Sequence, residues 1–428
     1  MMNFTEQFLH FIWQYRLFKM NGLYCVTGEK LEILSVGILN KDAGPDFSQV
    51  KLKIEGTLWI GNAELHIKSS DWMIHGHDKD PAYDSVVLHV VYDDDLKILR
   101  RDGSVLPVLV LKNLFSDRLF SNCQNLIDNL NAFPCEKQIR HVDPVVIENV
   151  ISRSIVSRYE YKSAEVMDKL SELKGNWNET FYYYLARNFG FKVNAVPFEM
   201  LATSLSQKIF ARYKNNPLQI EAMIFGQAGF LSDELLDEYP KKLLSEYIFL
   251  KKKYGLQPIN ISLWKFLRMR PQNFPTIRLA QFAAMIVSSN HLFSKILEIP
   301  NLKEISRLFE NLPVNAYWKH HYHFKKLAAD EVSLQIGRRS VHNIIINTVC
   351  IFLFTYGKYT DQQIYVDRSF AFLNELPSEN NIYVNQYVKS GVRSDSALTS
   401  QALLQLNKFY CSQKKCLNCG IGIKILNR

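Results

Sequence analysis

Pro45-Asp46, Glu64, His66 and Lys68 gather two carboxylates, an imidazole and an ammonium into one short N-terminal stretch. The strings VKLKI and TLWIGNAELHIK read as two strands of a hairpin turning at Glu55-Gly56. Facing residue numbers then sum to about 111, which sets Asp46 opposite Leu65, beside Glu64 and His66. A bulge at Gly61-Asn62 shifts the register by one and brings Asp46 onto the face of Glu64. Alternation puts Glu64, His66 and Lys68 on one side of the strand and Ala63, Leu65 and Ile67 on the other. An apolar interior tolerates the first set only if the groups are paired, liganded or near water. Asp46 and Glu64 offer hard oxygen ligands to Mg²⁺ or Mn²⁺, and His66 or Lys68 could hold or deprotonate an attacking water. The plainer alternative is a rigid AGPDF turn in which Asp46 accepts a backbone N–H, followed by a strand with one solvated face.

DWMIHGHDKDPAYD adds His75, His77, Asp78, Asp80 and Asp84. They could build a second metal site or a phosphate-contacting loop, but such residues more often organise a loop through side-chain to backbone bonds. His89, inside VVLHVV, reads as a core or edge histidine. At the other end, C-x4-C-x2-C places Cys411, Cys416 and Cys419 near one another, and Cys135 is the best candidate for a fourth thiolate. Four such sulfurs would suit zinc or an iron–sulfur cluster; plain buried thiols are the alternative.

These groups need a scaffold, and the periodicity supplies one. Apolar residues along 3–20 recur at helical spacing, and 23–111 breaks into short β-rich runs separated by EG, GN and DG turns. Beyond 113 almost every segment has helical periodicity, without a fixed-length repeat. The expectation is an α+β chain: residues 1–112 form a β-rich core with an N-terminal helix, and 113–428 an α-helical domain ending in the cysteines.

A net charge of +9 over 428 residues favours an anionic partner, DNA or RNA. Arg268, Arg270 and Arg278 lie around a Pro-rich break among aromatics, Lys319 sits in YWKHHYHFKK, and Arg338 and Arg339 precede an apolar helix. These are the candidate phosphate contacts. No run of about 18 apolar residues and no export signal stand out, so the expected address is the cytoplasm, without a membrane. Walker A, GxGxxG and GxSxG patterns are absent, which leaves nucleotide-driven motors, dehydrogenases and α/β-hydrolases without support.

Pro45-Asp46 followed by Glu64-x-His66 resembles the restriction-endonuclease-like superfold, whose signature is PD followed by E-x-K. His66 stands where that family has Lys, and Lys68 follows one strand period later. The resemblance implies a nuclease-like core over roughly the first 110 residues, with Glu6 as a further carboxylate from the preceding helix. One distant Cys plus three C-terminal ones resembles the iron–sulfur-stapled nucleases built on that core, with different spacing. The longer string AGPDF…GN-x-E-x-H-x-K-x-x-DW-x-x-HGH also resembles a bacterial family of unknown function spanning essentially the whole chain. The resulting expectation is a metal-dependent nuclease or nucleic-acid-processing protein. Its rival is a non-catalytic nucleic-acid-binding or scaffold protein with a structural metal at the cysteines.

Overall fold

The alternating runs of the N-terminal part assemble into one seven-stranded mixed sheet. In chain order its strands are β1 (Leu23–Tyr24), β2 (Lys30–Ser35), β3 (Ile38–Leu39), β4 (Phe47–Ile54), β5 (Thr57–Lys68), β6 (Val86–Asp93) and β7 (Val108–Val110). They lie in the order β1-β2-β4-β5-β6-β7, with β3 also on β4. Pairing is antiparallel from β1 to β5 and parallel for β5·β6 and β6·β7. The computed structural model describes residues 5–40, 42–128, 131–289 and 291–427.

Parallel pairing explains the sequence of β6. A strand flanked by parallel neighbours is covered on both faces and reads as a continuous apolar run, and Val86 to Val91 are all buried. Its one polar member, His89, is therefore fully enclosed. The crossover from β5 to β6 carries helix α2 (Asp71–Ile74) and a 3₁₀ turn at Pro81–Tyr83. It packs Trp72 and Tyr83 against Val86, Ile98 and Leu106.

Helix α1 (Glu6–Gln14) buries Phe8, Leu9, Phe11, Ile12 and Trp13. It is shorter than the 3–20 periodicity predicts, because the chain reverses at Arg16 (φ 53°) and Leu17 N–H bonds back to Ile12 O at 2.9 Å. Phe18 keeps the apolar spacing from beyond that reversal by stacking on Trp13, with centroids 5.7 Å apart. Trp13 Nε1 donates to Val36 O at 3.0 Å, so the helix is tied to the sheet by a hydrogen bond as well as by packing.

Contacts divide the chain into two units. The first holds residues 1–151, 385–392 and 406–428, so the C-terminal cysteines belong with the sheet. The second, 152–384 with 393–405, is predominantly helical. Within it YWKHHYHFKK forms a 3₁₀ turn and a two-stranded hairpin, His321–His323 with Lys326–Leu327, where a helical array is expected from the sequence. The helical run Arg338–Tyr359 is long and apolar enough to match a membrane span by composition, yet 72% of its most apolar window is buried inside the protein.

Two charged groups of the helical unit are structural. Arg278, expected at a phosphate-contacting surface, is instead buried: it donates to Gln281, Asn273 and Ser340 at 2.5–3.0 Å and lies over the Phe191 ring. Arg268, Arg270, Lys319, Arg338 and Arg339 are exposed. Glu221 is buried and accepts from Tyr239 and Asn315. Burial pushes its carboxyl up to about 7. A folded-state value above the unfolded one contributes stability that is complete at acid pH and lost as pH rises through about 7. Glu221→Gln should therefore raise the melting temperature relative to wild type at pH 8 more than at pH 5, by up to about 3 kcal/mol in stability. Equal shifts at both pH values would refute the assignment.

Candidate metal centre on the bulged hairpin

The hairpin turns at Glu55-Gly56, both with positive φ (47° and 78°), and pairs Ile54 with Thr57 through Val50 with Gly61. The register then shifts by one, so that Phe47 faces Ala63. The extra residue is on β4, where Gln49 has φ 57°, and not at Gly61-Asn62. Gly61 is glycine for another reason: a Cβ there would come within 2.4 Å of Val87 Cγ1 and 2.6 Å of Ser85 O. The shift sets Asp46 beside Glu64. Each carboxylate takes the other strand's backbone: Asp46 N–H donates to Glu64 Oε2, and Leu65 N–H to Asp46 Oδ2, both at 3.0 Å. Asn40 fixes the AGPDF turn by donating to Ala43 O and Pro45 O and accepting from Asp42 N–H.

This clasp separates two roles of Asp46. Asp46→Ala leaves the Leu65 N–H without its acceptor and should cost about 1–3 kcal/mol, whereas Asp46→Asn keeps an acceptor oxygen and should cost less than about 1. Urea unfolding of both variants measures the difference; equal losses would mean that charge, not the hydrogen bond, holds the strands here.

Around Glu64 the sheet and the crossover loop bring four histidines together. His66 Nδ1 is 2.9 Å from His89 Nε2, and His66 Nε2 is 3.1 Å from His75 Nδ1. Glu64 Oε1 lies 3.5 Å from His66 Nε2 and 3.2 Å from His77 Nε2. One donor nitrogen from each of His66, His75 and His77 falls within 4.8 Å of the other two. The loop is held in place: Asp95 accepts from Ser69 and Ser70 at 2.9–3.1 Å, Asp71 accepts from Lys68 N–H, and Gly76 (φ 76°) reverses the chain between His75 and His77. Tyr83 stacks on His77 at 3.7 Å, and Trp72 meets His77 and His89 edge-on or tilted.

The floor of the site, Glu64, His66 and His89, is buried, while Glu6, His10 and Asp46 are half-buried and His75 is exposed. Burial, then the neighbouring Asp46 charge, pushes Glu64 up to about 8. Burial, then His77 and His75, pushes His66 down to about 3. His77 and His89 are lowered for the same first reason, and Glu6 is raised by burial. Burial thus favours the neutral imidazole at His66, His77 and His89, the form that a metal ligand requires. Several buried polar atoms here lack a hydrogen-bond partner: Trp72 Nε1, Asp78 Oδ1, His89 Nδ1, His77 Nε2 and His10 Nε2. The last two lie in ion-pair contact with carboxylates, His77 at 3.2 Å from Glu64 and His10 at 3.1 Å from Asp46, without a hydrogen bond. Buried polar atoms without a protein partner are uncommon in folded proteins, and these five belong to the Glu64–histidine region.

Of the residues singled out from sequence, Asp46, Glu64, His66 and Glu6 meet here, Glu6 through its electrostatic coupling to Asp46, His75 and Glu64. Lys68 stands exposed at the strand end. Asp80 and Asp84 organise surface structure, Asp80 by accepting from Ala82 N–H and Asp84 by pairing with Arg101. The sequence points to His75 and His77 as a possible second metal site, apart from Glu64 and His66, and gives no reading for His10 or Tyr83. The usable signals were the i, i+4 spacing of Glu6 and His10 on one helix and the H-x-H following a strand that already carried a histidine.

The profile of a family described as protein of unknown function (DUF2851) matches residues 6–382. The chain belongs to that family. The match spans every residue of the candidate site described above, from Glu6 to His89. No curated protein and no solved structure matches the chain.

Proposed function

We propose that this chain is a divalent-metal-dependent hydrolase that cleaves phosphodiesters in nucleic acid, with Glu64, His66, His75 and His77 holding the ion. One observation carries the reading: one donor atom each of His66, His75 and His77 lies within 4.8 Å of the other two, and the His66–His75, Glu64–His66 and Glu64–His77 pairs approach at 3.1, 3.5 and 3.2 Å. Ligands of a tetrahedral ion with metal–nitrogen bonds of about 2.0–2.1 Å are separated by about 3.3 Å. The imidazole-rich set suits zinc better than Mg²⁺ or Mn²⁺, for which Asp46 and Glu6 offer the oxygen ligands. A bound ion would supply Lewis acidity and lower the pKa of its water.

The protein's own groups provide the rest. His66 Nδ1–H can donate to His89 Nε2, fixing the tautomer that leaves Nε2 for the ion. Glu6, whose carboxyl burial raises above its ordinary range, is suited to deliver a proton to a leaving oxygen. The nucleic-acid part of the proposal rests on the PD…E-x-H resemblance, the +9 charge and the exposed arginines and Lys319 of the helical unit.

The test is cleavage of labelled single- and double-stranded DNA and RNA by chelator-stripped full chain, with Zn²⁺, Mn²⁺ or Mg²⁺ restored. Cation-dependent products that fall by about 10²–10⁴ in Glu64→Ala and His66→Ala support the reading. Salt-dependent binding without turnover under any cation would replace it with the rival, a non-catalytic nucleic-acid-binding protein.

A further inference from the structure

The helical unit gathers cations and aromatic rings at one end of the helix Glu238–Tyr254, whose last turn reads FLKKKY. Gly255 (φ 64°) stops that helix in the left-handed region just after Lys251, Lys252 and Lys253. Ammonium groups in a last turn offset the partial negative charge of its free carbonyls, which accounts for the lysine run by itself. It does not account for the residues that meet the run from another element. Arg212 and Tyr213 follow the short helix Gln207–Ala211, and Tyr213 lies 41 residues before Tyr254 in sequence. Tyr213 Oη is 2.9 Å from Tyr254 Oη, and Lys253 Nζ donates to Tyr213 Oη at 3.0 Å. Lys253 Nζ also lies 5.4, 5.5 and 5.8 Å from the ring centroids of Tyr213, Tyr254 and Phe249.

Arg212 joins this hydroxyl pair as Tyr213's neighbour in sequence. The Tyr254 hydroxyl is held below its ordinary range first by the Tyr213 hydrogen bond, then by Arg212 and Lys253. Among the described residues, Arg212, Lys251, Lys252 and Lys253 form no ion pair with a carboxylate. Like charges drawn together around two hydroxyls, without a counter-charge, make a fixed positive patch that attracts anions. All four cations are exposed, Phe249 is 58% exposed, and Tyr213 and Tyr254 are half-buried.

The rings decide which anion fits. Cations beside open aromatic faces are the elements of single-strand recognition, in which phosphates meet the charges and unstacked bases lie on the rings. A duplex keeps its bases stacked on one another and gives Phe249 nothing to receive. An anionic membrane asks for more apolar surface than this helix offers, since it sets exposed Ile248 and Phe249 against five exposed lysines.

We infer that Arg212, Tyr213, Phe249, Lys252 and Lys253 form a binding surface for single-stranded nucleic acid, with phosphates at the cations and a base on Phe249. The class of polymer rests on the function proposed above, and the single strand is the added element. The surface shares no residue with the Glu64–histidine centre.

The experiment uses the full chain carrying Glu64→Ala, in chelator, so that binding is read without cleavage. Fluorescence anisotropy follows a labelled oligothymidylate, and a duplex of the same length, as salt is varied. Lys252→Glu with Lys253→Glu should weaken single-strand binding at least about 10-fold and flatten the slope of log affinity against log salt by about two. Phe249→Ala should weaken it about 5–100-fold and leave duplex binding unchanged. Lys241→Glu with Lys242→Glu, the same charge change at the other end of the helix, should cost less than about 3-fold. The substituted lysines and Phe249 are exposed, so these variants keep the fold. Equal losses for the two lysine pairs, unchanged affinity in Phe249→Ala, no oligonucleotide binding by the parent chain, or binding to anionic-lipid vesicles alone would each overturn the inference. The expected binding losses, found together with no cleavage by wild type under any cation, would support this surface and overturn only the hydrolase reading.

Discussion

His66→Ala is expected to weaken zinc binding at the Glu64–histidine centre by more than about 100-fold and to abolish cation-dependent hydrolysis with it. Loss of a partner one bond removed from a metal already costs about 10–100-fold in affinity, and His66 is a direct ligand in this account. Its imidazole is also the hub of the site: one nitrogen meets His75, the other meets His89, and its ring stacks with His77 at 5.3 Å. Removing it frees His75, the most exposed member of the set. His89→Leu should weaken binding by only about 10–100-fold, because it orients His66 without touching the ion. Calorimetric titration with zinc separates the two, and identical affinities for wild type and His66→Ala would remove His66 from the ligand set.

Trp13→Ala should cost about 3–5 kcal/mol, the usual loss for deleting a fully buried tryptophan. Trp13 is 0% exposed, stacks on Phe18 and meets Phe47 edge-on. The truncation also leaves Val36 O without its donor. Because α1 carries Glu6 and His10, the loss should reach the site: those two groups are held beside Asp46 only as well as the helix is held on the sheet. Trp13→Phe keeps most of the packing and should cost about 1–3 kcal/mol through the unmet carbonyl. Denaturant unfolding gives both values. A loss below about 1 kcal/mol for Trp13→Ala would mean that the helix is anchored elsewhere.

The hairpin and its turn were legible because alternation and a Glu-Gly step are local signals; the facing register from Ile54–Thr57 to Val50–Gly61 follows directly. The bulge was legible as a shift but not as a position. Gln49 gives no sign of its left-handed backbone, and Gly61, which does look like a bulge residue, is small because β6 passes close to it. The parallel pairing of β5 with β6 was not legible, and it is what buries His89 against His66. His75 and His77 were legible as a possible second metal site but not as neighbours of Glu64 and His66, because a loop histidine carries no periodicity. Their placement depends on Asp95 clamping Ser69 and Ser70, which lie 26 and 25 residues before it. Arg278 shows the opposite failure: a basic residue among aromatics looks like a phosphate contact until its polar partners Gln281, Asn273 and Ser340 are seen around it.

The central claim is that Glu64, His66, His75 and His77 bind one divalent ion, and anomalous diffraction at the zinc edge, from crystals of the full chain grown with zinc, tests it most directly. The account expects a single anomalous peak about 2.0–2.2 Å from His66 Nε2, His75 Nδ1, His77 Nε2 and Glu64 Oε1. Density without a peak there, with His66 and His75 still hydrogen-bonded to each other at full zinc loading, would contradict it.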